Sequence, residues 1–428
     1  MSKSKELLLT AFALFALFFG AGNLLLPPLL GYNAADDWPI VVTGFAITAV
    51  IIPIIGIYAH ARLQGTLFDF GRKISPLFSS IYCLIIYAIA LAIPSPRTAA
   101  ATHEIAIYPF FENDALLTSS IYFILVLIFV LNRSKIMSII GKYLTPIIVL
   151  MLLAMIAIGI FGSEAIVHEA TDLSPLSTGI LEGYQTFDAI GAAVVGAFII
   201  ISINLRGHQD YGYKKKLIAK AGLIAGLGLL IMYTGLIAVG AYYGNDVMQA
   251  DGMSSDMVRA SLLTGIIKGT LGAQANTFLS ALLALACFTT AVGIIAGAAD
   301  YFKGIFGNSD FAYKVTAVVG CILGVGVGQM DFHSIIVVAI PVLAFIYPIT
   351  IVLILLNALP DRWAPPKVFR AVVLSTFVFS LPDVISGIFG PEFLGDSLSW
   401  IPLSAYSLGW VLPAIISYSI SKFLHEEA

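Results

Sequence analysis

Charge is what this chain has least of. Asp, Glu, Lys and Arg make up 11% of its 428 residues, against 59% hydrophobic residues, and the net charge is −3. That balance excludes a soluble globular domain and places the chain among polytopic helical membrane proteins. There is no long polar block to form a separate soluble domain and no basic tract to suggest nucleic acid. Cysteine is scarce too. Cys83, Cys287 and Cys321 are an odd number without paired spacing, which argues against a disulfide framework. Each lies in an apolar run and reads as a small buried hydrophobe. The six histidines are scattered without metal-ligand spacing. No His-Glu-x-x-His and no Gly-x-Ser-x-Gly is present, so no metal or nucleophile set supports an enzyme, and no organic cofactor is expected.

What the chain has in abundance is apolar stretches near the length that crosses a bilayer. Roughly twelve can be drawn, at about 8–30, 38–61, 76–101, 118–132, 138–162, 181–204, 216–243, 276–302, 311–328, 332–357, 367–386 and 400–422. Pro94 and Pro96 in the third, and Pro341 and Pro348 in the tenth, predict kinks. Lys3 and Lys5 precede the first run in the manner of a signal peptide. The run continues into Pro27 and Pro28 and many spans follow, so an uncleaved first span is expected. Lys and Arg alternate by connection. Lys3, Lys5, Arg62, Arg72, Lys73, Lys214, Lys215, Lys216, Arg362, Lys367 and Arg370 fall on one side, and Asp36, Asp37, Glu112, Asp114, Glu164, Asp172, Asp246 and Glu392 on the other. The positive-inside rule then puts both termini in the cytoplasm. The connection at 244–275 is the longest outer one; a short surface helix at 256–268 is expected there, either as a solvated connector or as a lid.

The most informative local feature is an interruption. Ala11 to Phe19 is apolar; then come Gly20, Ala21, Gly22 and Asn23, and apolar residues resume at Leu24. Backbone that leaves the helix inside a bilayer is tolerated only beside protein or a water-filled cavity. Broken helices near the midplane are where secondary transporters bind solute and coupling ion. Gly20 and Gly22 allow the backbone to unwind and a ligand to approach closely. Free amides at the following half-helix suit a carboxylate, and freed carbonyls suit a small cation. The alternative is that the glycines serve helix packing alone.

Five spans later Glu182, Gly183, Tyr184, Gln185, Thr186 and Asp188 bring polar groups into another apolar stretch. Two interrupted segments at matching places point to an inverted-repeat transporter, because repeats of five spans insert in opposite orientations. Asn23 and Thr186 offer neutral oxygens suited to a hard cation such as Na⁺. Asp188 is an intramembrane acid, and such groups are usually functional. It could bind a substrate ammonium, bind a cation, carry a proton, or form a structural pair with Arg97. In the eighth span, Thr289 and Thr290 would ordinarily just bond back to their own helix.

Taken together, Phe19-Gly20-Ala21-Gly22-Asn23 with Pro27-Pro28, Pro96-Arg97-Thr98-Ala99, Gly183-Tyr184-Gln185-Thr186 with Asp188, and Thr289-Thr290-Ala291 leading to Tyr301-Phe302 resemble the bacterial branched-chain amino acid:cation symporters. The match runs in order along nearly the whole chain. The resemblance implies the five-plus-five inverted-repeat scaffold of the amino acid–polyamine–organocation superfamily. Helices 1 and 6 would be broken. Repeat one would span about 8–162 and repeat two about 181–357, with additional helices at about 367–422, in a single transmembrane domain.

It implies Na⁺-coupled import of Leu, Ile and Val across a bacterial cell membrane, with lipid around the helices and Na⁺ as coupling ion in place of a cofactor. The substrate would lie against Gly20, Ala21, Gly22, Tyr184, Gln185 and Asp188. Sodium would be held by Asn23 and Thr186, and at a second site by Thr289 and Thr290 with the backbone carbonyls of Ala16, Phe19 and Ala286. Asp188 departs from sodium symporters of that scaffold, which carry small or hydroxyl residues there. A proton-coupled carrier using Asp188 is therefore the nearest alternative, ahead of a channel or an intramembrane enzyme.

Overall fold

A computed structural model describes residues 3–132, 136–162, 174–208, 210–243, 262–263, 265, 274–394 and 400–426. Every regular element among them is helical. The first apolar stretch is two helices, α1 (Lys3–Phe18) and α2 (Ala21–Ala34), parted at Phe19 and Gly20. The break is narrower than the sequence suggests, since Gly22 and Asn23 already form the first turn of α2. Pro27 and Pro28 lie inside α2 rather than ending it. Lacking N–H groups, they free the carbonyls four residues back, those of Asn23 and Leu24, just beyond the break.

The second span is α3 (Trp38–Ala46) and α4 (Ile52–Leu63), joined by a wide π turn. The third is α5 (Pro76–Ala92) and α6 (Pro94–Ala101), bent at Ile93 directly before the first of its prolines. Then follow α7 (Ala115–Leu131) and α8 (Thr145–Gly162). The second interrupted span is α9 (Pro175–Tyr184) and α10 (Asp188–Leu205). The remainder comprises α11 (Tyr211–Tyr243), α12 (Ala275–Ile305), α13 (Asp310–Val327), α14 (Phe332–Ala358), α15 (Pro366–Phe389) and α16 (Val411–Glu426).

Among the described residues nine helical stretches are long and apolar enough to cross a membrane, with Ala115–Leu131 and Val411–Leu424 as shorter apolar helices. The final helix starts later than the expected 400. Pro402, and positive φ at Leu403 (67°) and Ser407 (52°), hold the preceding segment in turns. The fourth starts earlier than 118, because the Asp114 carboxylate caps the Leu116 amide at 3.2 Å. Most of the connection at 244–275 lies outside the described residues; of the helix expected at 256–268 only 262, 263 and 265 are described, and these are helical.

Two helix contacts hold the half-helices that flank the breaks. α2 lies on α11 almost backbone to backbone: a Cβ at Gly31 would stand 1.8 Å from the Ile237 carbonyl oxygen, and one at Gly240 would stand 1.9 Å from that of Pro28. α9 lies on α3 in the same manner, through Gly44 against Leu176 and Gly179 against Val41. Small residues that let backbones touch are the usual packing device in membranes. Outward faces are apolar. Leu117, Ile121, Ile124 and Ile128 of α7, and Leu223, Leu227 and Ile231 of α11, are exposed at helical spacing and suit lipid contact.

The polar groups at one end of the bundle form a chain of contacts. The Tyr213 hydroxyl donates to Glu6 Oε2 at 2.6 Å, and His208 Nε2 lies 3.0 Å from Glu6 Oε1. The Tyr211 hydroxyl donates to the Arg62 carbonyl at 3.0 Å. Arg62 and Lys73 both reach Asp361, at 3.1 and 2.7 Å, and hold its exposed carboxyl below the usual carboxylate range, Lys73 most strongly. The N-terminus and the connections after the second, sixth and tenth apolar stretches therefore share one end of the molecule.

Candidate functional site

The first break is opened by room, not by an unusual dihedral. Gly20 is extended (φ −119°, ψ −162°), a conformation open to any residue. What a side chain would meet is Thr290, whose Oγ1 would stand 3.0 Å from a Cβ at Gly20. A Cβ at Gly22 would stand 3.1 Å from the Gln185 carbonyl oxygen and 3.2 Å from Arg97 Nη2. A side chain at either glycine would thus crowd the second break, Arg97 or α12 more closely than ordinary van der Waals contact. Asn23 Oδ1 accepts from the Gly20 amide at 3.0 Å, fixing the turn into α2.

The second break is a tight turn of Gln185, Thr186 and Phe187. Phe187 has a left-handed φ of 62°, which costs a side-chain-bearing residue about 1–2 kcal/mol. Thr186 Oγ1 donates to the Gly183 carbonyl at 2.8 Å and accepts from the Asp188 amide at 3.3 Å. The Phe187 turn starts α10 at Asp188, whose carboxylate lies in the first helical turn where the helix dipole favours it.

The two breaks meet through these side chains. Asn23 Nδ2 donates to Asp188 Oδ1 at 3.0 Å and to Oδ2 at 2.8 Å. The Tyr233 hydroxyl, from α11, donates to Asp188 Oδ2 at 2.9 Å and also contacts Asn23 Nδ2. The Tyr347 hydroxyl, from α14, accepts from the Ala189 amide at 3.2 Å, and its ring stacks on Tyr184 at 4.4 Å between centroids. A pair between Asp188 and Arg97 is not what forms. Asp188 is held by Asn23 and Tyr233, and Arg97 Nη1 donates to the Gln185 carbonyl at 2.7 Å. The reason is local. The Phe187 turn sends the Asp188 side chain toward Asn23, whereas Arg97 approaches across the face of Gly22. Gln185 uses its own amide on Glu182 Oε1 at 2.9 Å.

The residues expected at a second cation site also gather. Thr289 Oγ1 lies 2.8 Å from the Ala16 carbonyl oxygen of α1 and 3.0 Å from that of Ala286. Thr290 Oγ1 is buried without a hydrogen-bond partner among the described residues and faces Gly20. Phe19 sits in the break itself, its ring stacked on Phe15 and Tyr233. Cys287 of α12 lies within reach of the Ala21 amide and of Thr102. All three cysteines are free and buried.

Tyr233 and Tyr347 were not legible as site residues. Each sits in a long, mostly apolar helix that carries other hydroxyls, Thr234 beside Tyr233 and Thr350 near Tyr347, and nothing in the sequence singles it out. Ala21, Tyr184 and Thr186, by contrast, lie where the motifs put them, at the edges of the two breaks.

A family model described as "Branched-chain amino acid transport protein" matches residues 3–428. The branched-chain amino acid transport system 2 carrier protein of Pseudomonas aeruginosa is 30% identical over 424 residues, covering 97% of this chain and 95% of that one. A putative branched-chain amino acid carrier protein of Staphylococcus aureus is 30% identical over 451 residues, covering 99% and 98%. Among solved structures, MhsT in complex with L-phenylalanine superposes with a TM-score of 0.57 at 15% identity, covering 97% of both chains. A manganese transporter of Eremococcus coleocola superposes with a TM-score of 0.59 at 14% identity, covering 98% and 97%. At such identities the likeness concerns the fold, an all-helical transporter fold with no enzyme class attached. The match over nearly the full chain assigns this multi-pass membrane protein to the branched-chain amino acid transport protein family.

Proposed function

We propose that the protein is a sodium-coupled symporter importing Leu, Ile and Val by alternating access. The observation that carries this reading is the Asn23–Asp188–Tyr233 network. It places one carboxylate and several neutral oxygens at the meeting point of two helix breaks. A zwitterion needs an acceptor for its ammonium, and Asp188 supplies one among otherwise neutral donors. The substrate carboxylate would be met by the amides of Ala21 and Gly22, and Tyr184 and Gln185 would complete the cradle. Na⁺ would take Asn23 and Thr186. A second Na⁺ would take Thr289 and Thr290 with the carbonyls of Ala16, Phe19 and Ala286. Thr289 already bonds two of those carbonyls, so exchanging its proton-mediated contacts for a cation needs little rearrangement.

One Na⁺ crossing about 100 mV gains about 2.3 kcal/mol, and a tenfold gradient adds about 1.4 kcal/mol. A single ion therefore sustains accumulation of a neutral solute by a few hundredfold. The two repeats, about 8–162 and 181–357, would lie in opposite orientations, with the flanking helices rocking around the breaks. The chain would reside in a bacterial plasma membrane with both termini cytoplasmic, as the Lys and Arg distribution requires. Reporter fusions at Ala428 and within 163–175 should give opposite sidedness; the same sidedness for both would refute that topology.

A proton-coupled carrier is the second reading, because Asp188 is held by neutral groups and could exchange a proton. Radiolabelled leucine uptake into liposomes separates the two. The sodium reading expects accumulation under an inward sodium gradient and none under a proton gradient alone. Accumulation under the proton gradient in sodium-free buffer would overturn it.

A further inference from the structure

Among the described residues, Arg97 is the guanidinium placed between the two breaks. It comes from α6, the half of the third span that follows the bend at Ile93, and is 3% exposed. Pro94 and Pro96 open that helix, so its first turn is fixed by two locked φ angles and carries Arg97 inward. The guanidinium lies across the face of Gly22, with Nη2 at 3.2 Å from where a Cβ would be, and Nη1 donates to the Gln185 carbonyl at 2.7 Å. Arg97 therefore bonds the backbone of the second break while lying over Gly22, in the first helical turn after the first break. Asp188 is turned the other way, to Asn23 and Tyr233.

An amino acid zwitterion has the same polarity as this arrangement: a cation to meet Asp188 and an anion to be met elsewhere. We infer that Arg97 binds the substrate carboxylate beside the first-turn amides of α2, and so selects α-amino acids against amines and amino alcohols of the same side chain. This rests on the amino acid transport reading above.

The chemistry favours a guanidinium for this role. Its planar fork matches a carboxylate in two parallel charge-assisted bonds, whereas neutral amides give single weaker ones. Charged groups inside a membrane bundle are costly and mark the ligand path. Gly22 is what lets the fork and the α2 backbone reach one anion, because any side chain there would stand between them.

The test compares leucine with leucinol, which keeps the ammonium and side chain but has a hydroxymethyl group for the carboxylate. Binding of each to the purified full-length protein in sodium buffer is measured for wild type, Arg97→Gln and Arg97→Lys. Wild type should prefer leucine by about tenfold to a hundredfold, the worth of a hydrogen bond to a charged group. Arg97→Gln should lose most of that preference through weaker leucine binding, with leucinol changed by less than about threefold. Arg97→Lys, which keeps the charge and loses the fork, should fall between, and it decides the matter if the Gln variant does not fold. A leucine-to-leucinol ratio that stays at the wild-type value in either folded variant overturns the inference. A wild type that binds none of Leu, Ile and Val overturns the functional reading as well, so the two failures are told apart by the wild-type arm.

Discussion

At the first break the chain departs from the helix with no residue at positive φ, and glycine is there for room: Gly20 against Thr290, Gly22 against Arg97 and Gln185. At the second break no glycine occupies the turn. Phe187 takes φ of 62° and its ring is 5% exposed, so burial of a large side chain holds a strained backbone in place. The first break is thus made by what is absent, a side chain, and the second by what is present, an aromatic anchor. The chemistry divides in the same way. The first supplies amides and neutral oxygens from its backbone; the second supplies the acid, Asp188. Neither is a complete site for a zwitterion with a cation, and Asn23 bonded to Asp188 is the seam between them.

The comparison breaks most sharply at Asp188. If the second break supplies the charge for the ammonium, Asp188→Asn keeps the shape and removes the partner. Truncating one member of a buried charge pair costs about 2–5 kcal/mol, so leucine binding should weaken by at least about thirtyfold. Thermal stability should stay close to wild type, because Asn23 and Tyr233 are neutral and can bond an amide. A clear loss of melting temperature with normal leucine affinity, both measured on the same purified variant, would make Asp188 structural.

Next in size is the exchange of what each break relies on. Gly22→Ala puts a methyl 3.1 Å from the Gln185 carbonyl and 3.2 Å from Arg97. Overpacking of this kind costs about 1–3 kcal/mol, and here the neighbour that yields is the Arg97 fork. Leucine uptake should fall about tenfold or more. Phe187→Gly should behave differently: the backbone strain is relieved while the buried ring is lost, so stability drops with the ring. Gly22→Ala with wild-type uptake would show that room is not what the first break needs.

How much of this was legible follows the same division. Gly-Ala-Gly-Asn and the polar run at 182–188 could be read because glycine, asparagine and aspartate are out of place in a span. The bend before Pro94 was legible because proline removes a backbone donor. The extent of each break was not, since Gly22 and Asn23 fold into α2 once Asn23 caps the turn, a bond invisible in sequence. Tyr233 and Tyr347 were illegible for a different reason. Their roles depend on contacts with residues 45 and 158 positions away. The start of the last helix was misplaced because a hydropathic stretch does not report the positive φ angles at Leu403 and Ser407.

A smaller effect is expected at the contact between the first break and α12. Thr289→Ala removes the hydroxyl that bonds the Ala16 and Ala286 carbonyls. The stability cost should be about 1 kcal/mol, the net worth of one such hydrogen bond. If Thr289 also ligates Na⁺, the sodium concentration for half-maximal uptake should rise while the leucine requirement at saturating sodium changes little. A rise in the leucine requirement with unchanged sodium dependence would take Thr289 out of the cation site and leave it a packing contact.

The smallest effect is expected far from both breaks, and it sets the scale for the rest. Asp361 lies on the connection after α14 and receives Lys73 at 2.7 Å and Arg62 at 3.1 Å, with its side chain 78% exposed. Lys73 and Arg62 hold its carboxyl below the ordinary range. A carboxyl whose folded pKa is depressed contributes stability above its unfolded pKa and loses it as pH falls toward the folded one. Asp361→Asn should therefore matter at neutral pH, and its difference from wild type should shrink in acid. Exposed ion pairs are worth about 0–1 kcal/mol, and salt screens them, so raising the ionic strength should also close the gap. Melting temperatures of wild type and Asp361→Asn at neutral and acidic pH, in low and high salt, check the sign. Leucine binding should be untouched throughout. If Asp361→Asn weakened leucine binding as much as Asp188→Asn does, the breaks would not be the privileged region, and the end of the bundle where Arg62, Lys73 and Asp361 meet would have to be coupled to them.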